Sequence, residues 1–426
     1  MKSLLVSAAL ALAIPTQPAD ADQAAAIEKL QKQVQELQNE LQRLKEGPPK
    51  DPQAEELLNK SFFRTKGLTL GFYGEAKYRF PEAGNNVFDP HRFVLTPSFQ
   101  ISDRLVFNSE IELEHGAVDE SSNDGRNRFN GELELEQFYV DVVINDHFNI
   151  RSLGIDLVPV GRINKYHEPT VFYSTERPEL YRELIPSTWF EPSLGVFGKI
   201  TDSLNYQLMV STGLEDAIVT SGSGATATRP AGYAAPGIDA GSGVRNGRPR
   251  LRAADENTLA YSGRLHYNGL PGLDASTSFY VTEVEGIRGK SFVGLWDIEG
   301  LYRVPKTGLE LRGEFLYWHF ANPEVFVANN NTSAADDFGK AMYGWNIEGA
   351  YHFWPEAWRS GWGSDMDLVP FVRYTEIVTQ TEMLPGSTAL DNGTTNKDFL
   401  TAGLAYFLNR NFVVKADWRR NLNGST

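Results

Sequence analysis

Cysteine is absent from the 426-residue chain, and no long apolar run follows its N-terminal segment. Without cysteine the chain has no disulfide scaffold, no catalytic thiol and no zinc–thiolate site. Basic residues number 40 against 55 acidic ones, a formal net charge of −15. This charge argues against a nucleic-acid partner, because such proteins carry a basic footprint. The mean hydropathy of −0.35 excludes a helical membrane protein but is compatible with a membrane barrel, whose strands are only half apolar.

Sequence motifs for catalysis and cofactor binding are also missing. The chain has no H-E-x-x-H, G-x-S-x-G, G-x-G-x-x-G or Walker A pattern. Glu110 and Glu112 share one face of a predicted strand, as the paired carboxylates of a glycosidase do, but they belong to a regular acidic ladder. We therefore expect no enzymatic activity, no catalytic residue, no metal ligand and no cofactor.

The N-terminus has the pattern of a signal peptide. Lys2 precedes an apolar stretch at 4–14, and Ala19 and Ala21 form a small-residue cleavage site. Residues 1–21 are therefore predicted to be removed on export.

A short coiled coil is predicted at 22–46. Apolar residues recur at alternating steps of three and four, the a/d pattern of a heptad repeat, at Ile27, Leu30, Val34, Leu37, Leu41 and Leu44. A helix this short is marginal alone, so we expect it to self-associate. β-Branched residues at a favour dimers, whereas the barrel predicted below favours trimers; the alternative is one amphipathic helix lying on the rest of the protein. Residues 47–66, opening with Gly47-Pro48-Pro49, are predicted to be a linker.

Residues 67–426 alternate apolar and polar side chains, which predicts long strands with one apolar and one charged face. Short links alternate with long ones along the chain, and aromatic residues, Trp318 among them, cluster near strand ends. These are features of a transmembrane antiparallel β-barrel with tight turns at one end, long loops at the other and interfacial aromatic girdles. The predicted strands are 68–80, 91–101, 104–115, 131–144, 147–160, 192–201, 204–214, 257–268, 273–285, 290–303, 307–320, 341–354, 365–378, 397–408 and 411–422.

The fold class is thus all-β, a barrel of about 16 strands preceded by a short α-helical coiled coil. Fifteen strands are predicted, whereas single-chain bacterial barrels normally have an even number. We expect either that a last, returning strand is missing from the sequence or that two strands were merged in the prediction.

One stretch resembles a known family. Val160-Gly161-Arg162, then Glu176-Arg177, Trp189-Phe190-Glu191-Pro192 and Gly195-Val196-Phe197-Gly198 are similar to the strand–loop–strand unit of trimeric porins, and most similar to the phosphate-selective porins O and P. The match covers about 40 residues, and the chain has His167-Glu168-Pro169-Thr170 where the family has Pro-Phe-Gly. The resemblance implies a 16-stranded trimeric channel with an inward-folded third loop. It does not carry phosphate selectivity, because the family's arginine ladder cannot be aligned.

The candidate pore residues are charged side chains on the link 161–191 and on the lumen face of the strands. Opposed charges across a narrow pore would orient polar solutes and filter ions; alternatively, lumen charges are a solvated face held in structural ion pairs. The candidates are Arg162, Lys165, Glu168, Glu176, Arg177, Arg182 and Glu183 on the link, and Arg79, Arg92, Arg264, Arg312, Glu110 and Glu112 on the strands.

These patterns predict an outer-membrane porin for passive diffusion of ions and small polar solutes, with anions such as phosphate among the candidates. The alternative is an envelope-tethering or adhesion protein that uses the barrel as an anchor and the coiled coil as a spacer. The expected partners are outer-membrane lipid and lipopolysaccharide, two further copies in a homotrimer, and peptidoglycan, which the charged flanks of the periplasmic helix could touch. No nucleic acid is expected.

Overall fold

The structure is a computed structural model. It describes residues 61–64, 67–82, 84–116, 131–215, 237–239, 243–249, 258–286, 289–326, 338–385 and 395–423. The chain divides into two compact units, 1–50 and 51–426, and all described residues belong to the second. The predicted signal peptide, coiled coil and most of the linker lie outside the described residues. Among those described, no helix has the length and apolar character needed to cross a membrane.

Sixteen strands of the described chain form one antiparallel sheet in sequence order, and two short ones form a separate hairpin. This confirms the predicted all-β class and antiparallel sheet of about 16 strands. The sheet strands are β1 Ser61–Arg64, β2 Leu68–Arg79, β3 Val87–Ser102, β4 Leu105–Glu114, β5 Leu133–Val142, β6 Asn149–Leu157, β7 Phe190–Thr201, β8 Leu204–Thr212, β11 Leu259–Tyr267, β12 Leu273–Gly286, β13 Gly289–Arg303, β14 Leu309–Phe320, β15 Gly339–Tyr351, β16 Asp367–Met383, β17 Asn396–Asn409 and β18 Phe412–Asn421. The hairpin pairs β9 Gly237–Asp239 with β10 Gly243–Asn246. Two one-turn helices, α1 Arg162–Lys165 and α2 Leu180–Glu183, lie between β6 and β7, and 3₁₀ turns occupy Pro323–Phe326, Glu356–Trp358 and Gly361–Gly363.

The strand that the sequence prediction lacked is β1, at the N-terminal edge of the sheet. It falls inside the predicted linker and pairs antiparallel with β2, with Ser61 opposite Gly71 and Arg64 opposite Thr69. β1 therefore lies beside the first third of β2 and runs towards the end of the sheet where β2 starts. The predicted periplasmic position of the N-terminal helix concerns residues outside the described ranges.

The two ends of the sheet differ in their connections, as predicted. One end, the turn end, joins β3 to β4 and β17 to β18 within a few residues, and its longest link is 352–366. The opposite end, the loop end, carries the links 115–132, 158–189, 213–258, 321–338 and 384–395, and its shorter links are 80–86 between β2 and β3 and 287–288 between β12 and β13.

The sheet curls around until its first and last long strands meet the same segment. Lys77 on β2 contacts Glu176, with Nζ to Oε2 3.0 Å, and Lys415 on β18 donates a hydrogen bond of 3.0 Å to the carbonyl of Ser174. Because both edges reach neighbouring residues of one inner segment, the sheet encloses a lumen.

Alternation along the strands separates an outer apolar face from an inner one. On β13 the outward side chains Phe292, Trp296 and Ile298 are about half exposed, whereas the inward Asp297 is fully buried. This is the pattern of a barrel whose apolar face meets lipid. Trp318 is the exception among the predicted girdle residues, because it points inward and is completely buried.

The inward segment and the candidate pore

The link between β6 and β7, residues 158–189, folds into the lumen and is called the inward segment below. It contains α1 and α2 and reaches strands all around the barrel. Besides β2 and β18, it contacts β8, where Lys165 donates to Gln207, and β17, where Lys397 Nζ lies 2.7 Å from Glu183 Oε2. The segment therefore spans the lumen from wall to wall.

Gly161 makes the sharp entry into the lumen possible. Its φ of 69° is in the left-handed region, and a Cβ there would lie 2.5 Å from the ring of Tyr181. Its N–H donates to Asp297 Oδ2 at 2.8 Å, and the N–H of Arg162 donates to Glu299 Oε2 at 2.8 Å. Two wall carboxylates thus satisfy the backbone at the start of α1, where it has no helical partners.

An apolar cluster fastens the other half of the inward segment to the wall. Leu180, Leu184 and Trp189 are fully buried against inward residues of β12 to β16. The indole of Trp318 donates a 3.0 Å hydrogen bond to the carbonyl of Leu184. Its ring centroid lies 6.2 Å from that of Trp189 and 6.1 Å from that of Tyr280. The loop-end half of this wall is therefore a packed core, not a solvated lumen face.

On the opposite wall, Arg92 joins two strands to the inward segment. Its Nε donates to Glu75 at 2.7 Å, Nη1 to Glu112 at 3.4 Å and Nη2 to the carbonyl of His167 at 2.6 Å. The guanidinium is almost completely buried. A buried charge is tolerated only when it is paired, so the two carboxylates explain why Arg92 can lie under the segment.

Arg373 plays the same part near the last strands. Its Nη1 lies 2.9 Å from Glu348 Oε2 and its Nη2 3.3 Å from Glu179 Oε2. Nη1 also donates to Ser174 Oγ at 3.0 Å. Burial alone would raise the pKa of Glu179, but Arg373, a backbone hydrogen bond and two further arginines together outweigh it and hold the pKa below its usual range.

At the turn end, Tyr173 of the inward segment enters a charged group. Its hydroxyl donates to Glu310 Oε1 at 2.8 Å and lies 3.1 Å from His352 Nε2, and Arg312 lies over its ring. His352 Nδ1 is 2.6 Å from Asp367 Oδ2. Hydrogen bonds to Asp367 and Glu310 outweigh partial burial and raise the pKa of His352 to about 9.

Most of the predicted pore residues are therefore in contacts between the wall and the inward segment or within the wall. Arg162 Nη1 pairs with Asp274 at 2.9 Å, Arg264 with Glu299, Arg312 with Glu310 at 2.6 Å, and Arg79 with Asp89 at 3.1 Å at the loop end of β2. Three further candidates are glutamates in ion pairs: Glu176 with Lys77, Glu183 with Lys397 and Glu112 with Arg92. Lys165 donates a hydrogen bond to Gln207, Glu110 lies beside His167, and Glu168 is half-buried on the inward segment.

Arg177 and Arg182 differ from these. Arg177 donates to Thr188 Oγ1 at 2.6 Å, but within the described ranges neither arginine forms an ion pair. Burial lowers the pKa of both, and the neighbouring Arg92 lowers that of Arg177 further. The inward segment thus carries two cationic groups without a carboxylate partner in the described chain.

A partly open pocket lies between the inward segment and the turn-end half of β12 to β16. Its lining mixes charged residues, among them Arg162, Glu299 and Glu348, with apolar ones such as Ile163 and Leu301. The inward segment therefore does not fill the space beside this half of the wall.

Three residues at these contacts were not predicted from the sequence to be there: His167, Trp318 and Arg373. For the two strand residues, period-2 alternation predicts the inward direction but not the contact partner. For His167 the available signal was its position in the link already predicted to fold inward, where Glu179 was among the charged candidates.

Comparison with known proteins identifies the architecture. No protein-family model matches the chain. An uncharacterised protein of Aquifex aeolicus is 25% identical over 295 residues, 67% of this chain, and the chain spans 62% of that relative's length. Among solved structures, OmpF of Salmonella typhi in complex with daunomycin superposes with a TM-score of 0.54 at 13% identity, covering 84% of this chain and 92% of that one.

The fold is that of an outer-membrane porin. Two further porin-type structures match less well. DcaP of Acinetobacter baumannii has a TM-score of 0.47 at 10% identity, and the match covers 85% of this chain and 93% of DcaP. The anion-selective porin of Comamonas acidovorans has a TM-score of 0.46 at 11% identity, and the match covers 83% of this chain and 89% of that porin.

Proposed function

We propose that the chain is an outer-membrane channel for ions and small polar solutes whose permeability is set by the inward segment. The observation that carries this proposal is the position of residues 158–189, which enter a porin-type barrel and contact its wall from β2 to β18. A loop folded into a barrel narrows the space open to solutes, and the charges that remain decide which ions pass. Passage is passive, and no catalytic step is proposed.

Arg177 and Arg182 support a preference for anions. Neither guanidinium group forms an ion pair within the described ranges, so a solute near the inward segment would meet their positive charge. Arginine suits planar oxyanions because it offers several donors in a fixed fork. Phosphate is one candidate oxyanion, although the resemblance to porins O and P does not itself carry phosphate selectivity.

The assembly proposed with this function is a homotrimer in contact with lipid and lipopolysaccharide. The exposed apolar outer face suits lipid, and the heptad residues 27–44 supply a stripe that self-association would cover. We propose that this helix is periplasmic and that its charged flanks touch peptidoglycan.

Dense packing in the lumen favours a second candidate function, an envelope anchor with a closed barrel. The aromatic core and the buried ion pairs together occupy both sides of the inward segment. An anchor would need the barrel only as a membrane plug, with the coiled coil as the tethering element.

Planar-bilayer recording of the mature full-length chain separates the two functions. A channel gives discrete conductance steps, and deletion of 170–185 should enlarge them because the segment no longer crosses the lumen. Ile298→Ala on the lipid face is the control, with conductance unchanged. Unheated samples on SDS gels show by their mobility whether the wild-type barrel is folded. A folded wild-type barrel that gives no conductance steps would favour the anchor. Equal conductance before and after the deletion would refute the role of the segment.

A further inference from the structure

Three buried side chains meet where the inward segment crosses β4 and β5. Glu110, Glu136 and His167 are 4%, 0% and 3% exposed. His167 Nε2 lies 3.5 Å from Glu110 Oε1 and 3.3 Å from Glu136 Oε2. The group therefore connects the wall to the segment through one imidazole and two carboxylates.

A β-bulge turns Glu136 towards this point. Glu110 is opposite Gln137 and Ile111 is opposite Leu135, so Glu136 is an extra residue with no partner in the β4 ladder. Bulges re-aim single side chains and are frequent beside functional sites. In a regular strand the neighbours Glu136 and Gln137 would point to opposite faces of the sheet. The bulge instead buries both side chains on the inner side.

Glu110 accepts hydrogen bonds from Tyr73 at 2.9 Å and from Gln137, whereas Glu136 and His167 have acceptors that are not satisfied. His167 Nδ1 is 3.2 Å from the carbonyl of Asn164, which can only accept, so Nδ1 carries a proton and Nε2 is aimed at the carboxylates. Across the described part of the chain, neither oxygen of Glu136 nor Nε2 of His167 has a hydrogen-bond partner. Buried carboxylate oxygens are normally paired.

We propose that Glu110, Glu136 and His167 bind one divalent transition-metal cation, for which Zn²⁺ is the probe, and that this cation fastens the inward segment to the wall. Zinc bonds of about 2.0–2.1 Å in a tetrahedron place ligand atoms about 3.3 Å apart; the imidazole nitrogen lies 3.3 and 3.5 Å from the two carboxylate oxygens, and all three ligand atoms are within 4.8 Å of one another. The two carboxylates neutralise the cation, and the bond from Nδ1–H to a carbonyl is the usual support of a metal-binding histidine.

A second group of similar composition, Asp89, His91 and His115, lies at the loop end. Asp89 Oδ1 is 2.8 Å from His115 Nδ1, Oδ2 is 3.2 Å from His91 Nδ1, and Arg79 also binds Oδ2. Both oxygens of its carboxylate are therefore satisfied, unlike those of Glu136. This group is the competing site that the experiment must separate.

The wild-type protein provides the first test. Detergent-solubilised full-length protein is stripped with chelator, given one equivalent of Zn²⁺, dialysed, and measured for bound zinc and for its X-ray absorption fine structure. We expect one zinc per chain with a single imidazole and oxygen ligands. Loss of the zinc on dialysis would overturn the proposal in favour of a protonated His167 held by the two carboxylates. A spectrum with two imidazole ligands would overturn it in favour of the loop-end group.

Matched variants provide the second test. Glu136→Gln and His167→Gln should each lower zinc affinity by more than about 100-fold, since even the loss of a supporting residue costs about 10–100-fold. Glu168→Gln, one residue from His167, and His115→Asn in the loop-end group should retain it. Retained affinity in His167→Gln would contradict the assignment.

Zinc should also slow trypsin cleavage within the inward segment of wild type and not of Glu136→Gln. Binding and proteolysis do not depend on conduction, so this proposal and the proposed channel can fail separately.

Discussion

Replacement of Trp318 tests whether the aromatic core holds the inward segment in the lumen. Trp318 is completely buried, and a buried tryptophan removes about 150–250 Å² from water. At about 25 cal/mol per Å² this is worth about 4–6 kcal/mol as an upper bound, in line with the about 3–5 kcal/mol cost of Trp→Ala in protein cores. The lost hydrogen bond to the carbonyl of Leu184 adds about 1 kcal/mol.

If about 4 kcal/mol of this fastens the segment, Trp318→Ala raises the population of the detached state by about 10³-fold, because each 1.4 kcal/mol is a factor of ten. Trp318→Phe keeps most of the packing and loses the N–H donor, so its expected increase is about tenfold. Trypsin cleavage after Arg182 reports this population when reclosing is faster than cleavage. The bond after Arg177 precedes Pro178 and is resistant.

Trp296→Ala is the matched control, because Trp296 is on the neighbouring strand β13 but faces outward and is 46% exposed. Its cleavage rate should stay within a factor of about three of wild type, as expected for surface substitutions. Unheated samples on SDS gels verify that each barrel is folded. Equal cleavage rates in Trp318→Ala and Trp296→Ala would refute the fastening role of the core.

Three further predictions concern charge, pH and assembly. Arg177→Glu and Arg182→Glu should shift the reversal potential in a salt gradient towards cations; an unchanged potential would remove both residues from the ion path. Asp367 and a second carboxylate raise the pKa of His352 to about 9. Protonated His352 therefore contributes its full stabilisation of the folded barrel below its ordinary pKa of about 6.5, and this contribution is lost as the pH rises through 9. The urea midpoint of wild type should fall over that window more than that of His352→Gln, and equal slopes would contradict this. Leu37→Asp should lower the melting temperature of an SDS-resistant trimer without unfolding the barrel, whereas unchanged melting would exclude the helix as an oligomerisation element.

The long strands were predictable because period-2 alternation is a direct consequence of strand geometry. All fifteen predicted strands correspond to strands of the sheet, β2 to β8 and β11 to β18, with ends displaced by a few residues. β1 escaped prediction because Ser61–Arg64 is four residues long and has two adjacent phenylalanines rather than an alternating pattern. Pairing with β2, not its own sequence, makes it a strand.

The content of the lumen was less predictable. Period-2 alternation predicts that Trp318 and Glu314 are on the same face of their strand. It does not predict that the inward segment packs apolar groups against Trp318 and leaves polar surroundings at Glu314. The ion pair of Arg92 with Glu75 was open to prediction as a cross-strand pair. The bonds of Arg373 to Glu179 join residues far apart in sequence, and no local pattern encodes them.

The position of residues 174–176 between β2 and β18 also constrains the order in which the barrel folds. Thr175 and Asp417 are separated by 242 positions in the chain, so this contact forms only after the last strand has been added. Contacts of such large sequence separation form slowly because the intervening chain must first be ordered. The contacts with β18 are therefore completed late, whereas those with β2 and β3, such as Lys77 with Glu176 and Arg92 with the carbonyl of His167, can form before the last strand is added. The inward segment thus joins strands made early to the strand made last, and its final position records that the barrel is complete.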